Sequence, residues 1–181
     1  AGSYLRGLKD FSLDRAYRLL LKNATVPGRG GRPYLDEYME RGWIAEKDTT
    51  NVPTWDEYKA AVTKTVEYAY DDYATALLAK ALGDEENYGM LMKRSGNYKN
   101  LFDSGTGFWR GKIDDGSWIK DFDPYYPYYA YMYREANAWQ SLFFAPHDVE
   151  GMLALYPGPQ AVELKLDSLF TVPWKGYEAH N

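Results

Sequence analysis

Thr63-Lys64-Thr65-Val66-Glu67-Tyr68-Ala69-Tyr70-Asp71-Asp72-Tyr73-Ala74-Thr75-Ala76-Leu77-Leu78-Ala79-Lys80-Ala81-Leu82-Gly83 is the stretch from which the fold class is read. Within it Val66, Ala69, Tyr70, Tyr73, Leu77 and Ala81 return every three or four residues, the spacing of one helix face. The spacing predicts a helix that starts near Thr54 or Thr63 and runs to Leu82, with Gly83 as its C-terminal stop. A neighbour is expected from about Asp84 to Phe102. Upstream, Leu13, Ala16, Tyr17, Leu20 and Ala24 mark a helix over Ser12 to Ala24, with Ser12 as N-cap. Pro27-Gly28-Arg29-Gly30-Gly31 closes it, and a short helix from Leu35 to Arg41 ends at Gly42.

Downstream the period changes. Phe108 to Ile113 and Ser117-Trp118-Ile119 flank the turn signal Asp114-Asp115-Gly116, so a small hairpin is expected there. From Lys120 to Tyr133 prolines and tyrosines make a loop that cannot be helical throughout. Helical spacing returns at Ala136 to Phe144, at His147 to Tyr156 behind Pro146, and at Gln160 to Phe170 behind Pro159. Thr171 to Asn181 reads as a connection that stops in mid-passage. No internal repeat of fixed period is present. The expectation is a mainly α chain of antiparallel helix pairs, with the long irregular stretch Phe102 to Ala136 as the candidate functional region.

Composition narrows the function classes. The 181 residues are 45% hydrophobic and 26% charged, as in a packed domain. A formal net charge of -5 and a pI near 5.1 argue against nucleic acid, whose backbone is bound by Lys and Arg. Without cysteine there is no disulfide, thiolate nucleophile or cysteine-ligated zinc. No run is long and apolar enough to span a bilayer, and Ala1 to Asp10 lacks the layout of a signal peptide. The sequon Asn23-Ala24-Thr25 matters only in a eukaryotic secretory setting. Aromatics reach 17%, with 18 Tyr and 6 Trp. Such side chains suit either a sugar surface or a tyrosine-rich core, and composition leaves both open.

Two histidines, His147 and His180, cannot form an H-E-x-x-H zinc motif, and neither a Walker loop nor a G-x-S-x-G elbow occurs. Carboxylates remain. Glycoside hydrolysis needs one protonated acid and one ionised partner. Glu135, in Tyr133-Arg134-Glu135-Ala136-Asn137-Ala138-Trp139-Gln140, stands where the tyrosine loop meets a helix, and aromatic surroundings would help it hold a proton. An ordinary first-turn Glu, paired with Arg134, is the other reading.

Several blocks together resemble family 92 of the glycoside hydrolases. They are Thr65-Val66-Glu67-Tyr68-Ala69-Tyr70-Asp71-Asp72, Arg94 to Asp103, Thr106-Gly107-Phe108 with Arg110, and Asp115-Gly116-Ser117-Trp118. Glu135 to Gln140, Pro146-His147-Asp148-Val149-Glu150-Gly151 and Leu166-Asp167-Ser168-Leu169-Phe170 complete the set, in the family's order and over nearly the whole chain. The resemblance implies a calcium-dependent exo-α-mannosidase that inverts configuration, built on an (α/α)6 toroid behind a β-rich domain. On that footing residues 1–181 are part of the toroid with a small β-hairpin insertion, the β-rich domain and the C-terminal half of the ring lying outside the chain.

The same resemblance implies that Glu135 is the general acid, and it sets Trp139, His147 and Asp148 among the substrate-binding positions, with Gln140 near them. The family reads Glu-Gly-Asn where this chain has Glu135-Ala136-Asn137. For Trp139 and Gln140 packing stays open beside sugar or calcium contact, and for Asp148 a helix cap stays open. Asp71 and Asp72 read as solvated acids or as groups facing the ring, and Arg94 and Arg110 as groups that grip hydroxyls or carboxylates or, the favoured reading, as partners of aspartates that hold the hairpin. The expected partners are a mannose-containing glycan, with α-1,2 linkage favoured, and the rest of the catalytic domain. A periplasmic or secreted location follows from the same resemblance. The family's catalytic base comes from a segment beyond Asn181, so the chain alone is expected to be inactive. A non-catalytic helical carbohydrate-binding or scaffold domain is the alternative.

Overall fold

The computed structural model describes residues 1–28, 31–47, 58–126 and 131–173. The possible helix start at Thr54, the one proline and two tyrosines within 127–130, the loop glycine Gly30 and the terminal stretch from 174 lie outside the described residues. The chain is mainly helical and divides into two compact units, residues 1–44 with 65–98 and residues 45–64 with 99–181.

In the first unit, α1 (Gly2–Leu5) precedes α2 (Leu13–Thr25), which follows Ser12 although that side chain makes no capping bond. The short α3 (Leu35–Arg41) ends at Gly42, whose φ of 78° is one that glycine adopts without a Cβ clash. α4 (Ala61–Ala81), counted with this unit from Thr65, stops at Gly83 (φ 78°), and the Asp84 N–H returns to the Ala79 carbonyl at 3.0 Å. This is the six-to-one closure of a Schellman motif. α5 (Glu85–Arg94) begins behind Asp84, which caps the Asn87 N–H and accepts from the Tyr17 hydroxyl at 2.7 Å. It ends sooner than its spacing suggested: Ser95 and Gly96 break it, and a 3-10 turn over Asn97–Leu101 follows.

Tyr17 and Ala24 of α2 pack on Leu78 and Ala79, and on Ala76 and Leu91, respectively, the apolar stripe their spacing required. The buried face of α4 is rotated from the one expected. Thr65, Val66, Tyr68, Ala69, Asp72, Thr75, Ala76, Leu78 and Ala79 are inside, whereas Tyr70 is 40% exposed.

A charge explains the rotation. Asp72 is wholly buried and receives Arg32 Nη1 at 2.5 Å, Arg94 Nε at 2.8 Å and Arg94 Nη2 at 2.9 Å. The Tyr38 hydroxyl lies 3.3 Å from Oδ2, the oxygen that also accepts from Arg94 Nε, and the two guanidiniums stack over Tyr68 and Tyr38. Asp72 is thus not solvated, and Arg94 grips it instead of the hairpin. Asp71, beside it, is 54% exposed.

In the second unit, β1 (Phe102–Asp103) and β2 (Phe108–Trp109) pair antiparallel, Phe102 opposite Trp109. The two-stranded sheet therefore forms ahead of the expected place; around Asp114-Asp115-Gly116 there is a turn with a single bridge between Lys112 and Trp118. Arg110 does what was expected of it, pairing with Asp103 at 2.9 Å and donating to the Ile119 carbonyl. Gly111 is required by space, since a Cβ there would lie 2.6 Å from Ile119 Cδ1 and 2.9 Å from Met132 Cγ.

Three helices complete the unit: α6 (Ala138–Ser141), α7 (Val149–Leu153) and α8 (Pro159–Thr171, with Pro159 in its first turn). α6 and α7 are shorter than their spacing suggested. Among the described residues no helix is long and apolar enough to cross a membrane.

Candidate active site

The start of α4 has three N–H groups without intrahelical partners, and the chain satisfies them from outside the helix. The Ala61 N–H donates to Glu46 Oε2 at 3.1 Å, and the Val62 and Thr63 N–H groups converge on the Met132 carbonyl at 2.9 and 3.3 Å. Glu46 is 2% exposed, and its Oε1 accepts from the Lys47 and Lys59 N–H groups at 3.0 and 2.9 Å. Its Oε2 also takes the Met132 N–H at 3.1 Å. A negative group in this place suits the helix N-terminus. Nothing in the sequence pattern singled Glu46 out. The signal available was a lone acid directly behind the apolar run Trp43-Ile44-Ala45, which a solvated acid would explain equally well.

Met132 therefore begins a segment held at several points. The Tyr133 hydroxyl donates to the Trp109 carbonyl, and the Arg134 N–H donates to Thr63 Oγ1 at 3.0 Å. Tyr131, Met132 and Tyr133 are buried, whereas Arg134 and Glu135 are exposed. Within this chain Glu135 is consequently not enclosed by aromatic surface. Its backbone is the unusual feature: φ is 50° at Glu135 and 55° at Met132, both in the left-handed region that non-glycine residues enter at a cost. Ala136, standing where the family has glycine, is not among the positive-φ residues, so its methyl adds no backbone strain.

Asn137 closes the segment. Its side chain accepts from the Gln140 N–H at 3.0 Å, and the Gln140 side chain accepts from the Asn137 N–H at 2.9 Å, a reciprocal capping box on a helix of four residues. Gln140 is thereby assigned helix-loop hydrogen bonding. Trp139, the second residue of α6, meets Phe108 edge to face at 4.8 Å and Tyr125 at 5.9 Å. Its indole nitrogen is buried and has no acceptor among the described residues.

Lys165 of α8 approaches the same cluster, with Nζ 3.5 Å from the Phe108 ring centre, 5.0 Å from that of Trp139 and 3.0 Å from the Thr106 carbonyl. Burial pushes this amine down to about 8. A pocket of about 260 Å³ opens beside Trp139, lined by Tyr125, Asn137, Gln140, Leu169, Val172 and Pro173 as well. Two aromatic rings and two amide residues in one lining are fitting for a sugar.

The remaining expected residues lie outside that lining. Asp148 is the N-cap of α7: one oxygen accepts the Gly151 N–H at 3.0 Å, and the other pairs with Lys99 Nζ at 2.9 Å. A Cβ on residue 151 would overlap that carboxylate where it stands, so a larger residue there would shift the cap. His147, half-buried, precedes the cap. Asn23 of the sequon lies within α2 and accepts the Gly31 N–H at 2.7 Å. Among the described residues no three His, Asp or Glu side chains converge on a point a metal ion could fill.

The sequence profile of the glycosyl hydrolase family 92 catalytic domain matches residues 1–181. An uncharacterized secreted glycosidase of Arthroderma benhamiae is 30% identical over 201 residues, which are 93% of this chain and 25% of that protein. A family GH92 α-mannosidase of Bacteroides thetaiotaomicron, BT3965, is 31% identical, with a TM-score of 0.79 over 94% of this chain and 21% of the other. Its complex with mannoimidazole gives 30% identity and a TM-score of 0.81 over 96% and 22%. A family GH92 inverting mannosidase of the same species, at 24% identity, shares the fold with a TM-score of 0.79 over 99% and 24%. The chain spans about a quarter of the length of these relatives.

Proposed function

Because the chain belongs to glycosyl hydrolase family 92, we propose that it is part of an enzyme that hydrolyses terminal α-mannosidic bonds with inversion, and that Glu135 is the general acid. The observation that carries the assignment is the backbone at Glu135. A carboxylate is held exposed in a left-handed conformation between a buried, hydrogen-bonded segment and a capped helix. Such strain persists where the surroundings over-determine it, and it concentrates at working sites. The family and the α-mannosidase relatives support the substrate class.

In this reading residues 1–181 are part of an (α/α)6 toroid. Glu135 protonates the leaving oxygen, while a base supplied by the remainder of the protein activates water on the opposite face of the ring. The two carboxyl groups then stand about 6.5–9.5 Å apart, leaving room for that water. Trp139 offers the apolar face of a sugar site; His147 and Asp148 stay with the substrate-binding positions on the family resemblance alone, since both lie outside the pocket lining and Asp148 caps α7. An α-1,2 linkage is the preferred substrate. The naming of the Arthroderma relative as secreted supports an extracellular or periplasmic location.

The test is the leaving-group dependence of Glu135→Gln in the full-length protein. Turnover of a mannobiose, whose leaving group needs protonation, should fall by about 10²- to 10⁴-fold. An activated dinitrophenyl mannoside should lose far less. Equal loss on both, or none on either, removes the assignment and leaves the non-catalytic carbohydrate-binding reading.

A further inference from the structure

We propose that Glu46 is a positioning residue for the acid: its buried carboxylate bolts the segment that carries Glu135 to the start of α4. The proposal rests on the reading of Glu135 as the general acid. Carboxylates are seldom this deeply buried, because desolvation penalises the charged form. An ionised carboxylate has about four acceptor directions. At Glu46 four main-chain N–H groups occupy them: Lys47 and Lys59 on one oxygen, Ala61 and Met132 on the other.

These donors are separate in sequence. Lys47 and Lys59 flank a connecting segment, Ala61 is the first residue of α4, and Met132 lies three residues before Glu135. One side chain thus ties three pieces of backbone together.

The grip continues toward Glu135. The Met132 carbonyl receives Val62 and Thr63, and Thr63 Oγ1 receives the Arg134 N–H, one residue from the acid. Both left-handed residues, Met132 and Glu135, belong to this clamped stretch. Left to itself a non-glycine residue would relax to negative φ and swing its side chain to a new direction. The Glu46 carboxylate and the Thr63 hydroxyl oppose that relaxation, so they set where the Glu135 carboxyl points. The arrangement predicts that weakening the bolt displaces the acid without removing it.

Glu46→Gln keeps the shape but turns an amide NH2, itself a donor, toward two N–H donors. In the full-length protein it should lower kcat for a mannobiose about 10- to 100-fold, the scale of a misplaced catalytic group. KM should change little, and turnover of dinitrophenyl mannoside should stay within about threefold, because that leaving group needs no acid. Thr63→Val, which removes only the acceptor for Arg134, should show the same selectivity at smaller size.

Glu135→Gln is measured alongside. If it is selective for the poor leaving group while Glu46→Gln loses equally on both substrates, or on neither, Glu46 is a structural residue alone and the proposal is overturned. If Glu135→Gln shows no selectivity, the acid assignment itself fails and takes this proposal with it. Should Glu46→Gln not fold, Thr63→Val decides: an unselective loss, or none, refutes the positioning role.

Discussion

Replacing Asp72 with Asn should be among the most damaging single changes in this chain. Asp72 has no exposed surface and answers two buried guanidiniums through three hydrogen bonds of 2.5 to 2.9 Å. The amide keeps one acceptor, removes the charge and turns a donor toward groups that only donate. Breaking a buried ion pair from one side costs about 3–5 kcal/mol, because the partner charge stays buried without compensation. Two arginines are stranded here, which favours the upper part of that range. Arg94 is 11% exposed and can recover some hydration, which moderates it.

A domain holds about 5–15 kcal/mol in all, so unit 1 would lose a large share of its stability. Hydrogen–deuterium exchange of peptides from α4 and α5 reads the loss locally. At about 1.4 kcal/mol per factor of ten, protection should fall by roughly 10²- to 10³-fold. Asp71→Asn, at a 54% exposed position 3.8 Å from Arg32, is the control and should change protection by less than about fivefold. If Asp72→Asn retained protection within fivefold of the parent, or if both variants lost it equally, the argument from buried charge would be wrong.

Three further outcomes are expected. Lys165 titrates near 8 in the fold against an ordinary 10.5, so between those values the unfolded chain binds the extra proton and stability should rise with pH. Urea midpoints of the parent minus those of Lys165→Met should climb over pH 8 to 10.5, and a flat or falling difference would contradict the burial of that amine. The family resemblance implies calcium dependence of the full-length enzyme: chelation should abolish mannosidase activity and calcium restore it, whereas full activity after exhaustive chelation would exclude the requirement. If the opposed base is supplied by the remainder of the protein, as proposed, the 181-residue chain alone should hydrolyse neither aryl mannosides nor mannobiose above background; turnover that depends on Glu135 would show that the base lies within it.

Helix positions were legible where an apolar stripe met a clear stop. α2, α3 and α8 fall within a residue or two of their spacing, and Gly42 and Gly83 end helices as their lack of a Cβ allows. The face of α4 was not legible. Alternating apolar and polar residues over Val66 to Tyr73 permit two overlapping stripes, and Arg32 and Arg94, far away in sequence, decide between them by drawing Asp72 inward.

α6 shows a different limit. The spacing over Ala136 to Phe144 continues beyond the helix, but only four residues form it, with Asn137 and Gln140 bonding back on one another at its start. Glu135 was singled out as the candidate acid by its neighbours in sequence. Glu46 was not, because what distinguishes it is the direction of four amide groups, which no residue pattern records.

The positive φ at Glu135 inverts the usual preference between the two smallest replacements. In most ordered backbone alanine is the safer deletion, since glycine adds freedom to the unfolded chain. At φ 50° alanine keeps a Cβ in conflict with its own backbone, while glycine releases roughly 1–2 kcal/mol of that conflict as it removes the carboxyl. Chemical rescue of a deleted acid is therefore best attempted in Glu135→Gly, where the loop holds its path and the vacated volume admits a small carboxylic acid from solution.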